Sequence, residues 1–317
     1  MPQCPHISLC IPVYNGADFL AEAIASIQAQ TLQNWELRIV DDGSRDASQE
    51  ILTEAARQDP RIHLTCHRNQ GIGGTRNRAL DAIQGETFLH MDADDRLLPH
   101  ALERLWDARQ RSGATLIIGK MTPFTGTPPT EAPDSTGECL TGDIWYREIY
   151  AAIDNCLGSR IPFPTWNKLY DTATFGHFRY LPLVYGDDTW YTPLTHFSTA
   201  SAYLLDTVTY AWRVAHTSAS SGTCNVRWMS DYATVLNQVS TLPNLPPAHQ
   251  KAFRQALLRP AKWIARTLLR DLRKNPRKYP SRALRQFVRT MRSATIPWPF
   301  SWKLRFFLLT LRAAFTK

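Results

Sequence analysis

Apolar and polar positions along the first 120 residues follow two rhythms. Continuous apolar runs at Ile7–Val13, Leu37–Val40 and Phe88–Met91 each end at polar residues, the mark of buried strands. Between them, Phe19, Leu20, Ala23, Ile24 and Ile27 recur at helical spacing across Ala17–Gln28. Ser48–Arg57 and Thr75–Ile83 repeat that spacing, and Ala101–Arg109 puts Leu102, Leu105 and Trp106 on one face. Alternation of this kind predicts an α/β fold, a mostly parallel, Rossmann-like sheet with helices on both faces.

The rhythm breaks at Thr122–Thr136, a Pro-, Thr- and Gly-rich stretch that reads as a loop. Residues 121–230 are irregular and aromatic; sugar rings stack well on such side chains, but core packing accounts for most of them. From Lys251 the chain reads as helices with basic faces. Phe253, Leu257, Trp263, Ile264, Leu268 and Leu272 form one apolar stripe that Pro276 and Pro280 terminate, followed by segments Ser281–Arg292 and Ser301–Phe315. Three regions result, 1–120, 121–230 and a helical basic C-terminal region, 231–317.

Charge sharpens that division. The chain carries a net charge of +8, yet residues 251–317 hold 18 Lys and Arg against one acid, Asp271, so the remainder is net acidic. The two parts are built for different partners. Six scattered cysteines, with no C-x-x-C pair, argue against a disulfide scaffold or zinc site and for reduced thiols. The N-terminus lacks the basic start and long apolar stretch of a signal peptide, and no run of about 18 apolar residues occurs. A cytoplasmic location is expected.

The candidate chemistry is acidic. Asp41-Asp42-Gly43-Ser44, Asp92-Ala93-Asp94-Asp95 and Gly186-Asp187-Asp188 are expected at the carboxyl ends of strands, where open α/β sheets bind ligands. Carboxylates gathered there repel one another unless a cation intervenes, and hard oxygen donors favour Mg²⁺ or Mn²⁺ with substrate phosphate. Turn or helix capping explains the first group equally well; the group after Phe88–Met91 favours the ligand reading. Gly71-Ile72-Gly73-Gly74 lacks the ending of a phosphate loop and the spacing of a dinucleotide fingerprint, so it caps a helix or lets backbone approach the ligand. His67, His90 and His196 read as packing or surface residues. Trp166-Asn167-Lys168 suits an acceptor site or plain packing equally.

Taken in order, Pro12-Val13-Tyr14-Asn15, Asp41-Asp42-Gly43-Ser44, Asn69 with Arg76-Asn77 at the third helix, and Asp92-Ala93-Asp94-Asp95 resemble family 2 glycosyltransferases of the GT-A fold. The resemblance is dense over residues 6–110 and continues through Trp166-Asn167-Lys168-Leu169-Tyr170 and Gly186-Asp187-Asp188. It implies a nucleotide-sugar-binding half in 1–120 and an acceptor-binding half in 121–230. Pro12 and Tyr14 would line the nucleotide pocket, Asp42 would accept from the uracil ring, and Asn69 and Arg76 would contact the nucleotide or its phosphates. Asp92 would face ribose or sugar and the metal, Asp94 would ligate Mn²⁺ or Mg²⁺ with Asp95 beside it, and Asp188 would be the catalytic base. Asp187 stands where many relatives have Glu and is the second candidate for the base. The implied activity is metal-dependent, inverting transfer from a UDP-sugar to a saccharide or lipid-linked acceptor in the synthesis of a bacterial cell-surface polysaccharide.

Two other classes fit the sequence less well. A non-catalytic sugar- or nucleotide-binding module on the same fold is disfavoured by the intact acid set, and a donor-building nucleotidyltransferase by the absence of a basic glycine-rich loop near the N-terminus. For residues 251–317, cations opposite Trp, Phe and Leu suit an anionic membrane surface at the inner face of the plasma membrane, beyond the bland reading of a solvated face. The acidic remainder argues against nucleic acid.

Overall fold

The computed structural model describes residues 4–127, 136–155, 159–214, 225–239, 242, 245, 247–275, 279–293 and 301–303. The first half runs β1 (Ile7–Val13), α1 (Ala17–Gln28), β2 (Trp35–Asp41), α2 (Ser48–Gln58), β3 (Ile62–Cys66), α3 (Ile72–Leu80), β4 (Thr87–His90), β5 (Arg96–Leu97), α4 (Ala101–Ser112) and β6 (Leu116–Phe124). The second half continues with β7 (Gly137–Thr141), α5 (Gly142–Asn155), β8 (Lys168–Asp171), α6 (Thr172–Phe175), α7 (Asp187–His196), β9 (Ser201–Arg213), α8 (Val226–Val239), α9 (Gln250–Ala256), α10 (Leu258–Lys274) and α11 (Ser281–Ser293).

One sheet passes through both halves in the order β3-β2-β1-β4-β8-β6-β9-β5, with β7 also on β9. The strands β3, β2, β1 and β4 are parallel, which aligns the carboxyl ends of β2, β1 and β4 along one edge. Beyond β4 the sheet turns mixed, β8 running antiparallel to both β4 and β6. Strand alternation divides the core by face. Ile7, Leu9, Ile11 and Val13 join a cluster with α1, α2 and α4, while neighbours Phe88 and Leu89 point into opposite clusters. Of the aromatics of the second half, Trp145, Trp166, Tyr170, Phe175, Tyr180 and Tyr191 are buried core.

Several expectations need correction. Gly186-Asp187-Asp188 follows no strand: Asp187 and Asp188 form the first turn of α7, where exposed N–H groups and the helix dipole favour acids. The stretch read as a loop from Thr122 begins inside β6, which pairs with β9 through Phe124; residues 128–135 lie outside the described residues. The stripe expected to be one helix is two, α9 and α10, meeting at Leu257. Trp263 is not on its buried side but 49% exposed. Phe253, Leu257, Ile264, Leu268 and Leu272, with Leu284, Phe287, Val288 and Met291 of α11, are buried in the same cluster as β4, β6 and α8. The apolar faces of α10 and α11 are therefore already covered by the protein's own body. Ser301–Phe315 lies mostly outside the described residues.

That packing predicts an unequal response to substitution. Leu268→Ala should cost about 2–5 kcal/mol by opening a core cavity, whereas Arg270→Ala, on an exposed position of the same helix, should stay within about 0.5 kcal/mol. Urea denaturation of both variants checks it; equal, negligible effects would mean that the helix is an appended arm.

Candidate active site

The loops leaving β1 and β2 are zipped together by side chains of their two motifs. Asn15, in the left-handed region at φ 53°, donates its backbone N–H to Ser44 Oγ at 2.9 Å and accepts from the Arg45 N–H at 2.8 Å. Short polar Asn tolerates that backbone better than other side chains. Gly16 and Ala17 donate to Ser48 and Asp46 in turn. Asp41 turns its own loop, its Oδ1 accepting from the Ser44 N–H and hydroxyl. These bonds shape an open groove of about 460 Å³ lined by Tyr14, Asp41, Gly43, Ser44, Arg68 and Asn69 among others. Tyr14 is 49% exposed there, while Pro12 sits half-buried at the end of β1.

Asp42 lies beneath that groove, 3% exposed. Its two oxygens accept the backbone N–H groups of Gln70 and Gly71, at 2.7 and 2.9 Å, and so hold the chain that enters α3. Gly71 caps α3 at φ 84°. At Gly73 a Cβ would stand 2.1 Å from the Leu181 carbonyl, so this glycine lets α3 abut the segment leading to α7. The glycine run thus serves a helix cap and a close backbone contact.

From within α3, Arg76 reaches the acids. It is 1% exposed, with Nη2 2.8 Å from Asp92 and Nε 3.0 Å from Asp187. Its guanidinium also lies over the Tyr180 ring, 5.6 Å from the centroid. Asn77 exchanges hydrogen bonds with the Tyr180 backbone, fixing the same segment to α3. The structure buries Arg76, the residue expected at the nucleotide or its phosphates, between two carboxylates from opposite halves of the chain.

After β4, carboxylate oxygens of Asp92, Asp94 and Asp95 lie within 4.8 Å of one another. Asp95, 1% exposed, accepts from the Tyr210 hydroxyl at 2.6 Å and the Arg213 N–H at 2.8 Å, which ties the loop to β9. Arg213 also donates from Nε to the Asp94 carbonyl. That leaves Asp92 and Asp94 as the open pair of hard oxygen donors, a set that fits Mg²⁺ or Mn²⁺. Burial raises the pKa of all three. The charges of Asp94 and Asp188 add to the rise at Asp92, and those of Asp92 and Asp94 at Asp95. Asp187 is raised likewise, by burial first and then by Asp188, with Arg76 opposing. One buried arginine faces a surplus of carboxylates, the condition a bound cation relieves.

Asp188 is held from the other side. Its Oδ1 accepts from both the backbone N–H and the hydroxyl of buried Thr165, at 3.0 and 2.9 Å. Thr165 is positioned by the motif that follows it. Asn167 (φ 61°) bonds to the Gly119 carbonyl and the Thr209 hydroxyl, and the buried Lys168 ammonium donates to the Pro162 and Pro164 carbonyls. Trp166 stacks on Tyr210, centroids 4.6 Å apart. Trp166-Asn167-Lys168 is thus packing that frames the site. His90, fully buried among Phe88, Tyr170, Tyr180 and Tyr191, is held neutral by desolvation.

The profile of glycosyl transferase family 2 matches residues 8–168, just over half of the chain. The chain belongs to family 2. The match spans the groove, α3 and the Asp92–Asp95 loop, and ends before Asp187 and Asp188. The Bacillus subtilis (strain 168) protein EpsH, named as a glycosyltransferase, is 28% identical over 67% of this chain and 62% of its own length. TuaG of the same organism, named as a teichuronic acid biosynthesis glycosyltransferase, is 35% identical over 54% of this chain and 71% of its own length. Among solved structures, Staphylococcus aureus TarS residues 1–349 in complex with UDP-GlcNAc superposes with a TM-score of 0.67 at 19% identity. That match covers 90% of this chain and 81% of TarS, and it establishes the GT-A fold of family 2 here.

Thr165, Tyr210, Arg213 and Tyr180 escaped the sequence reading, since each acts through a contact more than 20 residues away in sequence. Removal of Arg76 should show how much depends on it. Arg76→Met leaves the partly buried Asp92 and Asp187 without their shared counter-charge and should cost about 3–5 kcal/mol, read as a lowered denaturation midpoint; an unchanged midpoint would mean the pair is solvated.

Proposed function

We propose that the protein is a metal-dependent, inverting glycosyltransferase that moves a sugar from a UDP-sugar to an acceptor hydroxyl, with Asp188 as general base. The observation that carries this reading is the clamp on Asp188: Thr165 engages one carboxylate oxygen twice and leaves Oδ2 to accept a proton. In this reading Tyr14, Pro12 and Asn69 hold the nucleotide in the groove. Asp42, whose oxygens each accept one backbone N–H, keeps spare lone pairs for a base N–H. Asp92 and Asp94 would hold Mn²⁺ or Mg²⁺, which supplies Lewis-acid stabilisation of the leaving diphosphate.

The acceptor oxygen attacks the anomeric carbon as its proton passes to Asp188, and the bond to the diphosphate oxygen breaks with its electron pair, releasing UDP. A single displacement inverts the anomeric centre. Arg76 holds Asp187 beside the base and Asp92 beside the donor, so the groups for the two reactants are set from one side chain. Asp187 is the second candidate for the base, but its pairing with Arg76 favours a supporting role. The acceptor we favour is a growing cell-surface polysaccharide or lipid-linked oligosaccharide, in keeping with the name of TuaG. The proposed setting is the cytoplasm, at the inner face of the plasma membrane. Among the described residues no helix is long and apolar enough to cross a membrane.

Release of UDP from a panel of UDP-sugars tests the assignment. Turnover should stop with EDTA and return with Mn²⁺, and Asp94→Ala should abolish the Mn²⁺-dependent rise in melting temperature that UDP produces. Asp188→Asn should lower kcat by about 10²–10⁴ while UDP binding persists; full activity in that variant would remove Asp188 as the base. Thr165→Val, which keeps the backbone N–H but deletes the hydroxyl, should lower kcat about tenfold without changing donor binding, and an equal change in both would point to a disturbed donor site.

A further inference from the structure

The outward faces of α10 and α11 carry a charge arrangement that folding does not require. On α10, Lys262, Arg266, Arg270 and Lys274 repeat at intervals of four, with Arg273 beside them; on α11, Arg282, Arg285, Arg289 and Arg292 repeat at intervals of three and four. Apart from half-buried Lys262 these side chains are exposed. At 3.6 residues per turn the sets span roughly a third of the circumference on α10 and roughly a quarter on α11, turned away from the buried face formed by Ala261, Ile264, Ala265, Leu268 and Leu272 on α10 and by Leu284, Phe287, Val288 and Met291 on α11. Like charges three and four apart weaken a helix, and a merely solvated face gains by alternating acids with them. α11 contains no acid, and the single acid of α10, Asp271, accepts from the Tyr279 hydroxyl at 2.5 Å. Trp263, one turn before Arg266 and two turns before Arg270, rests one side on Trp228 and Tyr232 of α8 and is left 49% exposed.

We infer that the outer faces of α10 and α11 form a docking surface for an anionic lipid bilayer, held by charge and seated at headgroup depth by Trp263. The burial of both apolar faces decides the mode. The helices cannot insert without unfolding part of the core, so the attachment is electrostatic, reversible by salt and blind to neutral lipid. A lipid surface fits better than a soluble polyanion because the exposed indole lies within the cationic stripe, and indoles partition to the headgroup layer. This surface rests on the packing of the two helices and is independent of the transfer reaction.

Flotation of the full chain with vesicles tests it. At 50 mM NaCl the protein should rise with phosphatidylcholine vesicles containing phosphatidylglycerol, stay down with phosphatidylcholine alone, and be released at 0.5 M NaCl. A variant carrying R270Q, K274Q, R282Q, R289Q and R292Q should lose at least about 100-fold in vesicle affinity while its melting temperature and UDP affinity stay unchanged. Trp263→Ala should weaken vesicle binding severalfold and leave heparin binding unaltered. Undiminished binding by the five-fold variant, equal binding to neutral vesicles, or tight heparin binding without vesicle binding would each overturn the inference, the last by reassigning the surface to a soluble polyanion. Loss of UDP release with intact flotation would count against the transferase reading alone.

Discussion

Arg76 is the point on which the candidate site turns. A guanidinium with 1% exposure has left water almost entirely, and only close carboxylates make that tolerable. Asp92 comes from the loop after β4 and Asp187 from the first turn of α7, so one ion-paired side chain joins the parallel half of the sheet to the helical half. The joint works through geometry. Gly73 brings α3 against the segment at Leu181–Leu183, Asn77 pins the Tyr180 backbone, and Asp42 anchors the start of α3 from the β2 side. Loosening any of these would move Arg76 relative to both acids.

The acids themselves are not equivalent, although they look so in sequence. Asp95 spends both oxygens on Tyr210 and Arg213, and Asp42 gives each of its own to a backbone N–H. Among the described residues Asp94 alone of the three acids shows no side-chain hydrogen bond or ion pair to another residue, and Asp92 shares its charge with Arg76. The pattern separates carboxylates that build the loops from those left facing a ligand, a distinction set by partners contributed from β9 and α3.

Much of this was legible from the chain. Strands β1, β2 and β4 and helix α1 follow from apolar runs and helical periodicity because each is covered by apolar partners on known faces, and the ordered motifs pointed to the family. The short β3, Ile62–Cys66, was missed because it is a sheet edge whose alternate residues are exposed. β8 and β9 were hidden because each carries the same aromatic residues as any other core segment, whether it runs antiparallel to β4, as β8 does, or parallel to β6, as β9 does. The acid pair at Asp187–Asp188 was found as a motif but misplaced as a strand end, since Gly-Asp-Asp serves a helix start equally well. Arg76 was singled out for a ligand contact, but its carboxylate partners could not be read locally: only the fold brings Asp187, 111 residues away, within reach.

The C-terminal region shows the same limit from the opposite direction. An apolar stripe facing a cationic one reads in sequence as a helix suited to a membrane surface, and nothing local distinguishes that from a helix docked on a protein core. The structure assigns the apolar stripe to the cluster that holds β4, β6 and α8. The two properties that sequence presents as one amphipathic signal are thereby separated: hydrophobic burial stabilises the fold, and charge is left outward with no acid on α11 to balance it. A surface organised this way can hold the protein near an anionic layer without any part of the core leaving its place. The sheet edge carrying the acids is then free to keep its geometry whether or not the outer faces are engaged.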